Sequence, residues 1–165
     1  MRCLIRIAVC VSLLGTILST LHIYPHSLAY FNELAGGPEQ GYRHLLHSNI
    51  DWGQDLLYLK EWLREHPDVR PLHLAYYGAF DPADIGINDA QRITTTAAGS
   101  DDQVVHRNGC TAVSLNLLAG YHWTSRDGRG VMLAIDPKTL KGLDPDKPFA
   151  RCGYSILVFI PDEKQ

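Results

Sequence analysis

The spacing of hydrophobic positions takes three forms along this chain, and each predicts a different kind of element. Residues 7–21 (IAVCVSLLGTILSTL) carry no charge, and the apolar tract extends over residues 3–24 once Arg6 snorkels. At about 1.5 Å per residue those positions make a helix of roughly 33 Å, enough to cross a hydrocarbon core of about 30 Å. Pro25 stops that helix, because proline cannot continue the backbone ladder. Over residues 51–65 the apolar positions 52, 56, 59 and 63 repeat on one helical face. Asn49 or Asp51 is the expected N-cap, Asp55 suits the positive end of the dipole, and His66-Pro67 closes the helix. After Pro71 the spacing tightens into short runs rich in β-formers, at 72–77 (LHLAYY), 111–117 (TAVSLNL) and 154–160 (YSILVFI), which predict strands.

The pattern between these elements is less regular. Gly36, Gly37, Pro38 and Gly41 mark a turn-rich link, with a short helix expected over 42–47. Residues 85–108 are polar, with Gly99 and Asp101-Asp102, and suit a weak strand plus loop; 131–135 fits a strand or a helical turn. Residues 136–148 hold three prolines and are expected as loop. The sum is an α/β (or α+β) chain: one N-terminal transmembrane helix, then a small mixed sheet with packed helices. The expected division is an anchor over 1–24, a membrane-proximal glycine-rich junction over 25–50 and an exoplasmic domain over 51–165.

Composition narrows the setting. With 165 residues, 45 % hydrophobic and 20 % charged, the chain suits one modest domain plus an appendage. Arg2 and Arg6 are the only charges before Glu33, so the remainder carries 13 basic against 18 acidic residues, a net −5. No basic cluster is available to neutralise phosphates, which argues against nucleic acid as a partner. The same two arginines precede the apolar tract and none directly follows it, which places the N-terminus in the cytoplasm. A cleavable signal peptide shares this outline, although residues 18–26 offer no convincing small-x-small cleavage pair, and a buried soluble helix is the third alternative. Tyr24 and Tyr30 fall where interfacial aromatics are expected.

Candidate chemistry concentrates in residues 30–55, where Asn32, Glu33, Asn49, Asp51, Trp52, Gln54 and Asp55 crowd around glycine turns. Aromatic rings cover the apolar faces of sugars while amides and carboxylates bond hydroxyls, so these seven residues are ligand-binding candidates, with Trp52 as the stacking platform. Asp51 and Asp55, at i and i+4, could serve as an acid and base pair or cap and charge a helix start. Glu33 lies within reach of a headgroup or sugar phosphate at the membrane surface. The histidine pairs His22 with His26 and His44 with His47 lack a third ligand in register, so no metal site is assigned. Cys110 and Cys152 each flank a predicted strand and form either a bridge between neighbouring strands or two buried thiols. GxSxG, P-loop, GxGxxG and HExxH signatures are absent.

The succession PHSLAYFNELAGGP at 25–38 and SNIDWGQDL at 48–56 resembles the C-terminal region of bacterial membrane glycosyltransferases. These use polyprenyl-phosphate sugars and are related to protein O-mannosyltransferases and aminoarabinose transferases. The likeness continues through LAYYG at 74–78, IGI at 85–87, AVSLNLLAG at 112–120 and PFARCGYSI at 148–156. It implies the last transmembrane helix and exoplasmic domain of such an enzyme, encoded separately, truncated or started from an internal Met. The family's catalytic acidic residue lies in an early loop of a multi-helix core with no counterpart here, so no catalytic residue and no cofactor is carried over. The implied partners are membrane lipid, a polyprenyl-phosphate sugar and a multi-spanning glycosyltransferase subunit. The implied role is non-catalytic assistance in binding acceptor or sugar. The alternatives are an anchored structural or interaction module and a stand-alone hydrolase with its carboxylates paired across a cleft.

Overall fold

The computed structural model describes residues 1–93, 108–126 and 132–161. Its first element, α1 (Arg2–Ile23), is one uninterrupted helix of 22 residues whose most apolar 18-residue window has a mean hydropathy of 2.1 and no buried residue. It is long and apolar enough to cross a membrane. Two of its hydroxyls bond back to the helix: Thr16 donates to the Ser12 carbonyl at 3.0 Å and Thr20 to the Thr16 carbonyl at 2.9 Å. Such back-bonding keeps polar groups satisfied on an otherwise hydrocarbon surface. The helix ends at Ile23, before Pro25.

From there to Asp55 the chain advances through isolated 3₁₀ turns at Ser27–Ala29, Glu33–Ala35, Pro38–Arg43 and His47–Asn49. The helix expected over 42–47 is absent; the turn stops at Arg43. Gly36 and Gly37 take φ values of 88° and 72°, a region that interrupts helical continuation and that glycine adopts without steric cost. Helix α2 (Leu56–Glu65) then buries Leu56, Leu59 and Leu63, as the periodicity predicts, and is closed by His66. It starts five residues later than expected, because Asp51 and Gly53 form a turn that cannot be helical. Trp52 consequently lies off the helix and off its buried face.

The main sheet has the order β2-β1-β3-β7-β6, with β1 (Leu72–Ala75), β2 (Gln91–Arg92), β3 (Cys110–Ser114), β6 (Ala150–Cys152) and β7 (Ile156–Phe159). Strand β1 runs parallel to both β2 and β3, with Leu72 opposite Cys110 and Ala75 opposite Val113, whereas β7 pairs antiparallel to β3 and β6. The sheet is thus mixed and the class is α/β, although α2 precedes β1 and a short turn, Pro82–Ile85, carries the chain from β1 to β2. Strands β1, β3 and β7 are buried along their whole length. Being covered on both faces, they read as continuous apolar runs instead of alternating ones. Leu72, Leu74, Ala112, Ile156 and Val158 meet α2 on one face. Ala75, Tyr77, Val113 and Leu157 meet Ile50, Leu115, Leu117 and Leu140 on the other.

The three expected strands are present but shorter. After Ser114 the chain turns into the single helical turn α3 (Leu115–Leu118), where Leu115 N donates to the Ser155 carbonyl at 2.7 Å. A two-stranded ribbon pairs β4 (Trp123–Arg126) with β5 (Met132–Ile135), which resolves the 131–135 alternative as a strand. Residues 94–107, most of the polar stretch expected as weak strand and loop, lie outside the described residues.

The strand order also separates the two cysteine alternatives, in favour of two buried thiols. Strand β7 separates β3 from β6, so Cys110 and Cys152 are not on neighbouring strands, and both thiols are free and buried. Two inter-strand spacings amount to about 9–10 Å, beyond the Cα separation of about 4.4–6.8 Å that a disulfide spans.

Candidate functional site

The seven candidate residues divide into a buried group and an exposed group. Asp51 and Asp55 belong to a polar cluster at the carboxyl ends of β1 and β3, with Tyr76, Ser114 and Ser155. The turn before α2 supplies the two carboxyls, the chain just beyond β1 supplies Tyr76, and the β6–β7 turn supplies Ser155.

Asp55 is 1 % exposed and its Oδ2 accepts the Tyr154 and Ser155 backbone N–H groups, each at 2.8 Å. Its Oδ1 lies 3.6 Å from His26 Nδ1. A side chain on Gly153 would begin 2.2 Å from the Asp55 carboxyl carbon, so glycine is what lets the β6–β7 turn close over the carboxyl. Asp55 precedes α2 but makes no capping hydrogen bond to it. Its carboxyl instead ties the start of α2 to the far edge of the sheet.

Asp51 is fully buried and its Oδ1 accepts the Gly53 N–H at 2.6 Å. Burial raises its pKa from 3.8 to about 7; the Gly53 N–H lowers it, the Asp55 charge raises it, and the Ser114 and Ser155 hydroxyls lower it. No hydrogen bond of good geometry reaches Asp51 Oδ2 among the described residues. Beside it, the Tyr76 hydroxyl is wedged between glycines: a Cβ would stand 1.9 Å from it at Gly53 and 2.0 Å at Gly78. Burial, reinforced by the Asp51 charge, pushes the Tyr76 phenol above its ordinary value. Gly53 also takes φ 89°, so two independent constraints demand glycine there.

The amides serve local turns. Asn32 Oδ1 accepts the Ala35 N–H at 2.9 Å and Asn49 Nδ2 donates to the Leu46 carbonyl at 3.1 Å. Gln54 accepts the Trp52 N–H at 2.7 Å and donates to the Ile50 carbonyl at 3.2 Å. Trp52 remains 60 % exposed, its indole N–H donating to the Ser48 carbonyl at 3.0 Å, which holds the ring at a fixed angle over open space. Glu33 is exposed and accepts the Ser19 hydroxyl of α1 at 2.8 Å.

That open space is a groove of about 870 Å³ with mainly hydrocarbon walls, lined by Pro25, His26, Leu28, Trp52, Leu57 and Phe80, with Gln54, Asp55 and Glu61 as its polar margin. Of the sequence candidates, Trp52, Gln54 and Asp55 line it, while Asn32, Glu33, Asn49 and Asp51 do not. The carboxyls of Asp51 and Asp55 lie inside the fold, so the arrangement of two acids facing each other across an open cleft is not formed.

His26, Leu28 and Phe80 carry much of the groove and were not singled out by sequence patterning as site residues. The His26 ring lies tilted at 38° with its centroid 4.6 Å from that of Tyr58, meets Tyr154 edge-on at 5.0 Å and reaches Asp55, so it is held by α2 and by the β6–β7 turn. Its spacing to His22 suggested a shared helical face, but α1 has ended before it. A second unpredicted stitch joins Asn116 to His47, whose N–H it accepts at 2.8 Å and whose carbonyl it bonds at 3.1 Å. Among the described residues no group of three or more His, Cys, Asp or Glu gathers as a metal ion would require.

No protein-family model matches the chain, and neither curated proteins nor solved structures show significant similarity to it.

Proposed function

We propose that this chain is a membrane-anchored exoplasmic domain that assists a lipid-linked-sugar-dependent glycosyltransferase, holding the glycolipid or its acceptor beside the membrane without performing the transfer. The observation that carries this reading is the groove: its wall begins at Pro25, two residues after a helix able to span a bilayer, and it presents the exposed Trp52 ring beside Gln54. Hydrocarbon walls suit a lipid chain, and an aromatic ring with an amide suits a sugar. The motifs at 25–38 and 48–56 support the same reading through their resemblance to polyprenyl-phosphate-sugar transferases, and Arg2 and Arg6 orient the N-terminus to the cytoplasm.

The test is binding of undecaprenyl phosphate hexose to the full chain in phospholipid vesicles, followed by tryptophan fluorescence. Saturable binding that Trp52→Ala weakens about tenfold, a loss on the order of 1.4 kcal/mol, supports the proposal. Fluorescence identical in the presence and absence of the glycolipid overturns it. A second reading, docking of a multi-spanning partner, is favoured by the exposed Leu57 and Phe80 on the same wall. It predicts co-purification with that partner that Phe80→Asp abolishes, and no glycolipid binding.

A further inference from the structure

The loop that follows α1 does not lead directly away from the helix. Ser19 Oγ, four residues before the end of α1, lies 2.8 Å from Glu33 Oε1 and 3.2 Å from Tyr30 Oη. Residues 30–33 therefore double back alongside the helix instead of rising from its end. The charges of α1 fix how deep that is. A hydrocarbon core of about 30 Å takes about 20 residues at 1.5 Å each, so a boundary at Arg2 puts the opposite boundary near residue 22, and one at Arg6 puts it beyond α1. With either placement Ser19 is at least about 4 Å inside hydrocarbon, and side chains touching it sit at the acyl-chain boundary.

The composition of the loop fits that depth. Residues 25–38 contain one formal charge, Glu33, which is the group bonded to Ser19. The Ala35, Gly36 and Gly37 N–H groups are all bonded within the turn, to the Asn32 and Glu33 carbonyls, as a backbone entering lipid requires. Leu34 at the tip is fully exposed at 101 %, with Tyr24 and Tyr30 exposed nearby. In water a fully exposed leucine on a glycine-flanked turn has no packing role; at a bilayer surface it is an anchor flanked by interfacial aromatics.

We infer that residues 30–36 form a second membrane contact, an interfacial hook in the same leaflet as the exit of α1, with Leu34 inserted into lipid. This rests on α1 spanning the membrane, as proposed above. The occupant of the exposed face is the bilayer itself, because the hook is continuous with α1 and contacts it below the helix end.

The test uses the full chain reconstituted in phosphatidylcholine–phosphatidylglycerol vesicles with a nitroxide at Leu34→Cys in a Cys3→Ser, Cys10→Ser background. Collisions with oxygen are compared with collisions with a water-soluble nickel chelate. Native Cys10, in Cys3→Ser, gives the hydrocarbon reference and Glu39→Cys gives the aqueous one. The expected oxygen-to-nickel ratio at Leu34→Cys is at least about fivefold above that at Glu39→Cys, approaching Cys10. An aqueous ratio at Leu34→Cys with Cys10 in hydrocarbon overturns the hook and leaves the span intact. An aqueous ratio at Cys10 overturns the span and the hook together.

Discussion

At the scale of single residues, Asp51 and Asp55 show how one side-chain type serves two purposes within five positions. Asp55 accepts two backbone N–H groups, whereas Asp51 has a single N–H donor and an otherwise buried carboxyl. Asp51 therefore keeps its proton far above the usual carboxylate range, to about 7. A folded-state pKa raised above the unfolded value of 3.8 means that the folded chain binds the extra proton. That contribution is complete below the unfolded value and is lost as pH rises to about 7. Thermal melts between pH 5 and pH 8 should thus show a falling Tm, and Asp51→Asn should flatten the slope; equal slopes in both proteins would refute the assignment. The identity of these residues as special was legible from their crowding around glycines. Their burial was not, since it depends on Tyr76, Gly78 and Gly153, which lie far along the chain.

Among the elements, α2 was the most legible, for a reason visible in its residues. Leu56, Leu59 and Leu63 repeat on one face and only that face is needed to cover the sheet. Leu59→Ala should lower unfolding stability by about 2–5 kcal/mol, as removal of a buried leucine does. Leu57→Ala, at an exposed position on the groove, should change it by less than about 0.5 kcal/mol; denaturant titration separates the two. The start of α2 was not legible, because the apolar Trp52 extends the helical spacing while Gly53, at positive φ against Tyr76, forbids the helix. The strands were recognisable from β-branched and aromatic content, yet they end where tertiary partners take over, as at Ser114. Strand β2, two residues long, carries no pattern that could be read without β1 beside it.

For the whole molecule, the apolar runs at 72–77, 111–117 and 154–160 implied the strands of a small mixed sheet, but neither its order nor its burial on both faces. Only pairing reveals that β7 stands between β3 and β6, and this determines the cysteine chemistry. Burial pushes the Cys110 thiol up to about 11 and the Cys152 thiol up to about 12, with Asp55 adding to the latter. Because thiolates are the reactive form, neither should be alkylated by iodoacetamide in the folded protein at pH 8. Mass spectrometry should find both modified only after unfolding in guanidinium, and modification of either in the native state would contradict the fold. The groove was half legible by the same logic. Trp52, Gln54 and Asp55 sit close together in sequence, whereas His26, Leu28 and Phe80 are brought to them by the fold.

The contact of His26 with Asp55, three residues beyond α1, has a mechanical consequence. A domain on a slack linker sweeps a hemisphere above its anchor and meets membrane-bound molecules in every orientation. With α1 across a bilayer, this one is bolted close to its stem, so its remaining freedom is lateral drift and spin about the membrane normal. In that setting encounters with other membrane molecules would be a search in two dimensions, with the mouth of the groove held at a constant height throughout.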